Sequence, residues 1–227
     1  MIASPSIEVI YQDESFVAAS KPGGLIVHRT SESSDKVFLL QELGAQLGRF
    51  LYPVHRLDRA ASGVIVFAFS SEDARLLQET LNAPDSRKEY LVLARGSTPE
   101  RWEVDRPLKN DAGVEQPART SFEKIAEFFR LSLLRATIHT GRRHQIRRHL
   151  ARSAHQVLGD STYGKGKINQ FFRDTYGLPR LFLHAAHLEI RHPRTGARLS
   201  LRAPLAGDLR DFLKRLPGCP EELLEGL

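Results

Sequence analysis

Residues 53–70 read PVHRLDRAASGVIVFAFS, with His55, Arg56, Asp58 and Arg59 set directly before an unbroken apolar run. The run at 64–69 is short, β-branched and aromatic, and it is bounded by Gly63 and Ser70, the pattern of a fully buried strand. Charged groups at the mouth of such a strand are either paired structural residues or parts of a site. The remainder of the chain has to separate the two.

Outward from this strand the pattern predicts further strands at 7–11 and 16–20, joined by the turn residues QDES, and at 88–96, 101–107, 118–125, 131–139, 181–185, 188–192 and 197–202. Helical spacing appears at 37–47, 143–153 and 205–216, and at 71–81, where Ser70 stands as an N-cap ahead of Glu72 and Asp73. GDSTYGKGK (159–167) reads as a loop. Strands joined mostly by turns, with a few helices between, predict an α+β fold with a largely antiparallel sheet. No Walker loop and no GxGxxG follows a strand, which argues against a nucleotide cofactor. At 227 residues the chain fits one large domain, or a domain with a small lobe.

Hydrophobic residues make up 41% and charged residues 26%, the balance of a soluble globular protein. No apolar run is long enough to cross a bilayer, and the N-terminus has no export pattern. With Cys219 as the one cysteine there is no internal disulfide and no cysteine-based metal cluster. The cytoplasm is the expected location, and nothing argues against a monomer. The formal charge is +6, and its placement is uneven: from Phe128 to Gly159 there is no acidic residue but there are seven arginines. A basic concentration of this kind is the footprint of a phosphate-backbone binder, or else a solvated face.

On a helical wheel, RRHQIRRHLARSA (142–154) places Ile146, Leu150 and Ala154 on one core-facing stripe. Arg143 and Arg147 fall on or beside that stripe, and Arg148 and Arg152 fall opposite, toward water or an anion. A buried-edge Arg147 needs a carboxylate, unless it snorkels to the surface.

HRLDRAASG (55–63), KEYLVLARG (88–96), TGRRHQIRRHL (140–150), LGDSTYG (158–164) and RLFLHA (180–185) together resemble, in order, the sequence blocks of the RluA-type pseudouridine synthases. YQDESFVAASKPGGLIVHR (11–29) resembles that family's opening, and the likeness is greatest to the tRNA-modifying TruC branch. The resemblance spans nearly the whole chain. It implies a pseudouridine-synthase-like catalytic domain, with a mixed, largely antiparallel bent sheet flanked by helices. It also implies a single catalytic domain over 1–227, without a separate N-terminal RNA-binding domain. Three departures stand out: Ala61 where the family usually has Thr, His155–Gln156 where it often has His-Pro, and a poorly matched segment at 101–119.

The implied reaction detaches uracil from ribose, turns it, and rejoins it through carbon, with no cofactor. The resemblance places the required carboxylate on Asp58, acting on either the base or the ribose. It places the opposing charge on Arg147, an interaction of about 4 kcal/mol at ~4 Å and an effective dielectric of 20, before desolvation. Tyr90 would stack on the uracil or assist proton removal, where the residue alone would read as a core aromatic with one wet end. Arg56 would enter the space vacated by the extruded base. His55 either contacts a phosphate or ties the loop down. Of Leu181 and Leu183, one would pack against the base and the other in the core. Arg143, Arg148 and Arg152 complete the expected RNA-binding set, with tRNA ahead of ribosomal RNA as substrate.

His139, His144 and His149 are five apart and His155 is six further on, which is not ligand spacing, so these are read as solvated or RNA-facing and no metal is expected. A non-catalytic RNA-binding protein is the alternative of a different class. It would need the arginines but not Asp58, Tyr90 and Arg147 together. A DNA-reading helix is disfavoured, because no companion helix-turn-helix pattern precedes it.

Overall fold

The apolar run after Gly63 forms a strand, Ser62–Ala68, that is buried along its whole length. The structure is a computed structural model and describes residues 6–28 and 37–227; Arg29, part of the family-like opening, lies outside them. In chain order the elements are β1 (Val9–Gln12), β2 (Phe16–Lys21), α1 (Leu39–Leu47), β3 (Tyr52–Pro53), β4 (Ser62–Ala68), α2 (Ser71–Asn82), β5 (Arg87–Arg95), β6 (Arg101–Asp105), β7 (Leu108–Lys109), β8 (Glu115–Gln116), β9 (Arg119–Phe128), β10 (Leu131–Ile138), α3 (Gln145–Arg152), α4 (Gly166–Tyr176), β11 (Leu183–Arg191), β12 (Arg198–Arg202), α5 (Gly207–Lys214) and α6 (Glu221–Glu225). This is the expected α+β composition with mainly antiparallel pairing. The chain divides into two units, one of residues up to 86 with 185–203, the other of 87–184 with 204–227.

In the first unit β1, β2, β4 and β11 lie side by side in that order, with β3 on β4 and β12 on β11. Phe16, Ala18, Val64 and Val66 pack with Leu77 and Leu81 of α2 and with Leu188, Ile190 and Leu201. Helix α2 starts where its cap predicts: the Ser70 hydroxyl accepts from the Asp73 N–H at 3.0 Å. Gly63, with φ +108°, brings the start of β4 against β11, where a Cβ would sit 2.1 Å from the Ala185 carbonyl oxygen. Only glycine fits there. The two strands expected at 181–185 and 188–192 are one continuous β11, held by pairing with β12 from His187 onward.

In the second unit the order is β5, β10, β9, β6, all antiparallel, with Leu93 opposite Leu133. Phe182, Phe172 and Phe212 meet in its core, with ring centres 6.2 Å (Phe182–Phe212) and 6.4 Å (Phe172–Phe212) apart. Two local expectations fail here. Helix α3 begins at Gln145 rather than 143, because His144 adopts the left-handed conformation (φ 54°). The loop expected through 167 ends early at α4, a helix with no side-chain N-cap that few buried residues mark in the sequence.

Candidate functional site

The loop 55–61 belongs to the first unit and is fastened through its backbone. Lys21, only 1% exposed, donates from Nζ to the carbonyls of Pro22 (2.8 Å), Arg59 (3.1 Å) and Ala61 (2.7 Å). The Arg59 carbonyl also accepts from the Gly24 N–H (2.8 Å), and the Arg59 side chain donates back to the Gly24 carbonyl. A buried ammonium is tolerated only where its donors are satisfied, and here they join KPGG to the segment carrying Asp58. His55 accepts from the Val66 N–H through Nε2 at 3.1 Å, which is the loop-tying role. Asp58 is half-buried and Arg56 exposed, and Ala61 is fully covered. The loop is thus held by main-chain contacts at the position where the family's hydroxyl is missing.

In the second unit α3 is pinned by its own polar residues. Buried Gln145 accepts from the Thr140 hydroxyl and the Arg142 N–H, and donates to the Arg119 carbonyl and the Thr120 hydroxyl. Fully buried His149 meets the Arg106 carbonyl through Nε2 at 3.1 Å, so Nε2 carries the proton and Nδ1 accepts from the Thr120 hydroxyl. Burial holds His149 neutral by pulling its pKa down. His149 is therefore a structural residue, not a solvated or RNA-facing one. His139 meets the Ser121 hydroxyl and His155 the Arg95 carbonyl. Among the described residues no cluster of three or more His, Cys, Asp or Glu could hold a metal.

Arg147 is 7% exposed and does not snorkel. Its Nε and Nη2 each lie 2.8 Å from an oxygen of Asp160, and Nη2 also donates to the Thr162 hydroxyl at 3.1 Å. The sequence called for a carboxylate and resemblance put it at Asp58; within this unit Asp160 supplies it. Burial opposes ionisation of Asp160. The hydrogen bonds and charge of Arg147, with the Thr162 and Tyr163 N–H groups, outweigh that and hold its pKa below the usual carboxylate range. The same contacts place Tyr163, whose ring centre lies 5.2 Å from the Arg147 guanidinium and whose hydroxyl is 3.1 Å from His144 Nδ1.

Ile146 and Leu150 face the core as the wheel predicts, but Ala154 lies beyond the helix, exposed and left-handed. Arg143 is also off the helix, exposed, and ion-paired with Asp111 at 2.5 Å. Its expected place beside the core stripe is lost because the left-handed His144 delays the first turn. Arg148 and Arg152 are on the outer face, donating to the carbonyls of Lys109 (2.9 Å) and Pro107 (3.1 Å). Among the described residues neither has a carboxylate partner. Arg135, in the same arginine-rich window, is spent on Glu123 in the sheet. The seven arginines thus do not form one face.

These outer groups line a hollow of about 690 Å³, with cations from Lys109, Arg143, Arg148 and Arg152, a wall of His144 and Tyr163, and Ala151 on its helical side. Lys109, His144, Asp160 and Tyr163 were not singled out in the sequence. Only the i, i+4 step from His144 through Arg148 to Arg152 could have signalled them. Tyr90, half-buried on β5, stands opposite the small Ala136. Leu181 and Leu183 are both buried, with Phe182 between them turned to Phe212.

A model of the RNA pseudouridylate synthase family matches residues 15–152 of this chain. The tRNA pseudouridine synthase C of Vibrio vulnificus (strain CMCP6) is 37% identical over 220 residues, covering 87% of this chain and 90% of that protein. The protein of the same name from Yersinia pestis is 37% identical over 220 residues, covering 87% of this chain and 86% of its own. Among solved structures, human RNA pseudouridylate synthase domain containing 4 aligns with a TM-score of 0.76 at 24% identity over 92% of each chain. Human RNA pseudouridylate synthase domain containing 1 aligns at 0.72 and 21% identity, over 88% of this chain and 83% of its own.

Proposed function

This chain belongs to the RNA pseudouridylate synthase family, and from that premise we propose that it converts a uridine of tRNA to pseudouridine. It is an isomerase acting on RNA. The observation that carries tRNA as the substrate is the pair of relatives named tRNA pseudouridine synthase C, matched along most of both chains. In the reaction the N1–C1′ bond breaks, the base turns, and a C5–C1′ bond forms; the proton leaves C5 and N1 gains one. No redox partner or group donor enters.

In this reading Asp58 is the essential carboxylate. Its support is the HRLD block and a loop whose backbone Lys21 fixes, as a reacting group must be fixed to be effective. Tyr90 and Arg147 complete the set of reactive groups. Arg56, exposed beside Asp58, takes the place of the extruded base, while Leu181 and Leu183 offer apolar surface to it. His55 positions the loop. Arg143, Arg148 and Arg152 bind the RNA. The enzyme works as a monomeric single catalytic domain in the cytoplasm; no helix among the described residues is long and apolar enough to cross a membrane.

The test is chemical mapping of pseudouridine in unmodified tRNA and ribosomal RNA after incubation with the protein and with Asp58→Asn. Pseudouridine at one tRNA position with the wild type, and none with the variant, is expected. Modification of ribosomal RNA alone would replace tRNA as substrate, equal signal from both proteins would remove Asp58, and no signal in any RNA would leave a binding protein.

A further inference from the structure

We propose that the hollow between α3, the β7–β8 turn and the 160–163 turn is a second nucleotide site, which holds one unpaired nucleotide of the RNA other than the target uridine. The proposal rests on the RNA-modifying function argued above and adds to it a defined subsite. The volume, about 690 Å³, lies within the roughly 300–1,000 Å³ of small-molecule sites and is more than a bare phosphate contact requires. Its two sides have different chemistry. One is cationic, from Lys109, Arg143, Arg148 and Arg152, with a single carboxylate, Asp111, among the lining groups. The other is aromatic, from His144 and Tyr163, whose ring centres are 5.7 Å apart at 75°. A phosphate alone has no use for the aromatic wall, and a base alone has no use for the cations. A nucleotide uses both.

The groups are also pre-set. Arg148 and Arg152 each have one Nη1 anchored on a backbone carbonyl of 107–109, while their remaining donors meet no described residue. Tyr163 is held by His144, by Arg147, and by its own N–H on Asp160. Ala151, on the same helical face as Arg148 and Arg152, is the small residue that keeps the hollow open. Asp111, 78% exposed on its turn, occupies Arg143 as an internal anion that a phosphate would displace.

Ala151→Leu tests this by filling the hollow while keeping every charge and a good helix former. With tRNA as substrate, KM is expected to rise about tenfold, the size of one lost base stack, with the loss falling on KM rather than kcat. Arg75→Ala, which removes an exposed cation from α2, is the control and should leave KM at the wild-type value. A series of tRNAs, each with one abasic position outside the target, should contain one that binds wild type about tenfold more weakly. That same RNA should bind Ala151→Leu no more weakly than the intact one does. A wild-type KM for Ala151→Leu, or an abasic effect that persists undiminished in the variant, overturns the proposal. Absence of pseudouridine from wild type would instead be the failure of the functional reading, and the direct binding arm would still decide the subsite.

Discussion

Arg147 and Asp160 form a two-pronged ion pair in the interior of their unit, Nε and Nη2 each 2.8 Å from a different carboxylate oxygen, with side chains 8% and 0% exposed. Breaking such a pair strands a charge, whereas leaving it intact brings little net stability. Asp160→Asn is therefore expected to cost roughly 3–5 kcal/mol in denaturant unfolding, through the uncompensated guanidinium. The pH dependence follows from the lowered native pKa of Asp160. Its contribution is present above the unfolded carboxylate value, about 4, and is lost as pH falls through the lower native one. Wild-type melting temperature should thus fall more steeply on acidification than that of Asp160→Asn; parallel curves would contradict the pair's role.

Lys21→Met should remove the donor shared by Pro22, Arg59 and Ala61 while keeping the length of the side chain. Carbonyls left without a partner cost about 1–3 kcal/mol, so unfolding should shift by that amount. If the ammonium fixes the loop of Asp58, kcat should fall in the variant by more than KM rises. Steady-state kinetics at a temperature where the variant remains folded would check this.

Gly63→Ala should be among the most damaging single-methyl changes in the chain. The φ of +108° already disfavours any side chain, by roughly 1–2 kcal/mol, and the added carbon would lie 2.1 Å from the Ala185 oxygen. Either β4 or β11 has to shift. Loss of soluble protein, or a large fall in unfolding midpoint, is expected, and a variant that melts like wild type would show that the close approach is not rigid.

Affinity for RNA should fall with salt, and the slope should identify the cations. Arg148 and Arg152 meet no carboxylate among the described residues and are expected to contact phosphates, so each alanine variant should lower the log–log slope by about one. Arg135→Ala, whose partner is Glu123, should leave the slope unchanged. Filter binding between 50 and 200 mM salt measures all three.

Features set by neighbouring residues were readable from the sequence. The buried strand after Gly63 and the Ser70 cap depend on a few adjacent side chains, and both stand where the pattern puts them. Ile146 and Leu150 face inward because the helical period alone decides it. Contacts that depend on the folded chain were not readable. Lys21 looked like part of a turn, since lysine is seldom interior, and its partners include residues 38 and 40 positions away. Asp160 sat in an apparently featureless loop, and nothing local distinguishes it from a solvated acid. The helix start was misplaced by one backbone conformation, that of His144, which no propensity marks strongly. Of the candidate site, the RNA-facing arginines on the outer stripe were legible through periodicity, whereas Asp58 and Tyr90 were named only through family likeness.

The late start of α3 has an effect on what can vary there. Because a single left-handed residue fixes the rotational phase of the whole segment, one setting determines both which side chains enter the interior and which meet solvent. Inserting or deleting one residue between Gly141 and Gln145 would turn the segment by about 100°, bringing guanidinium groups toward the interior and aliphatic ones toward water. Anchorage and ligand-facing chemistry are thus geared together, and change in this helix is confined to substitution in place.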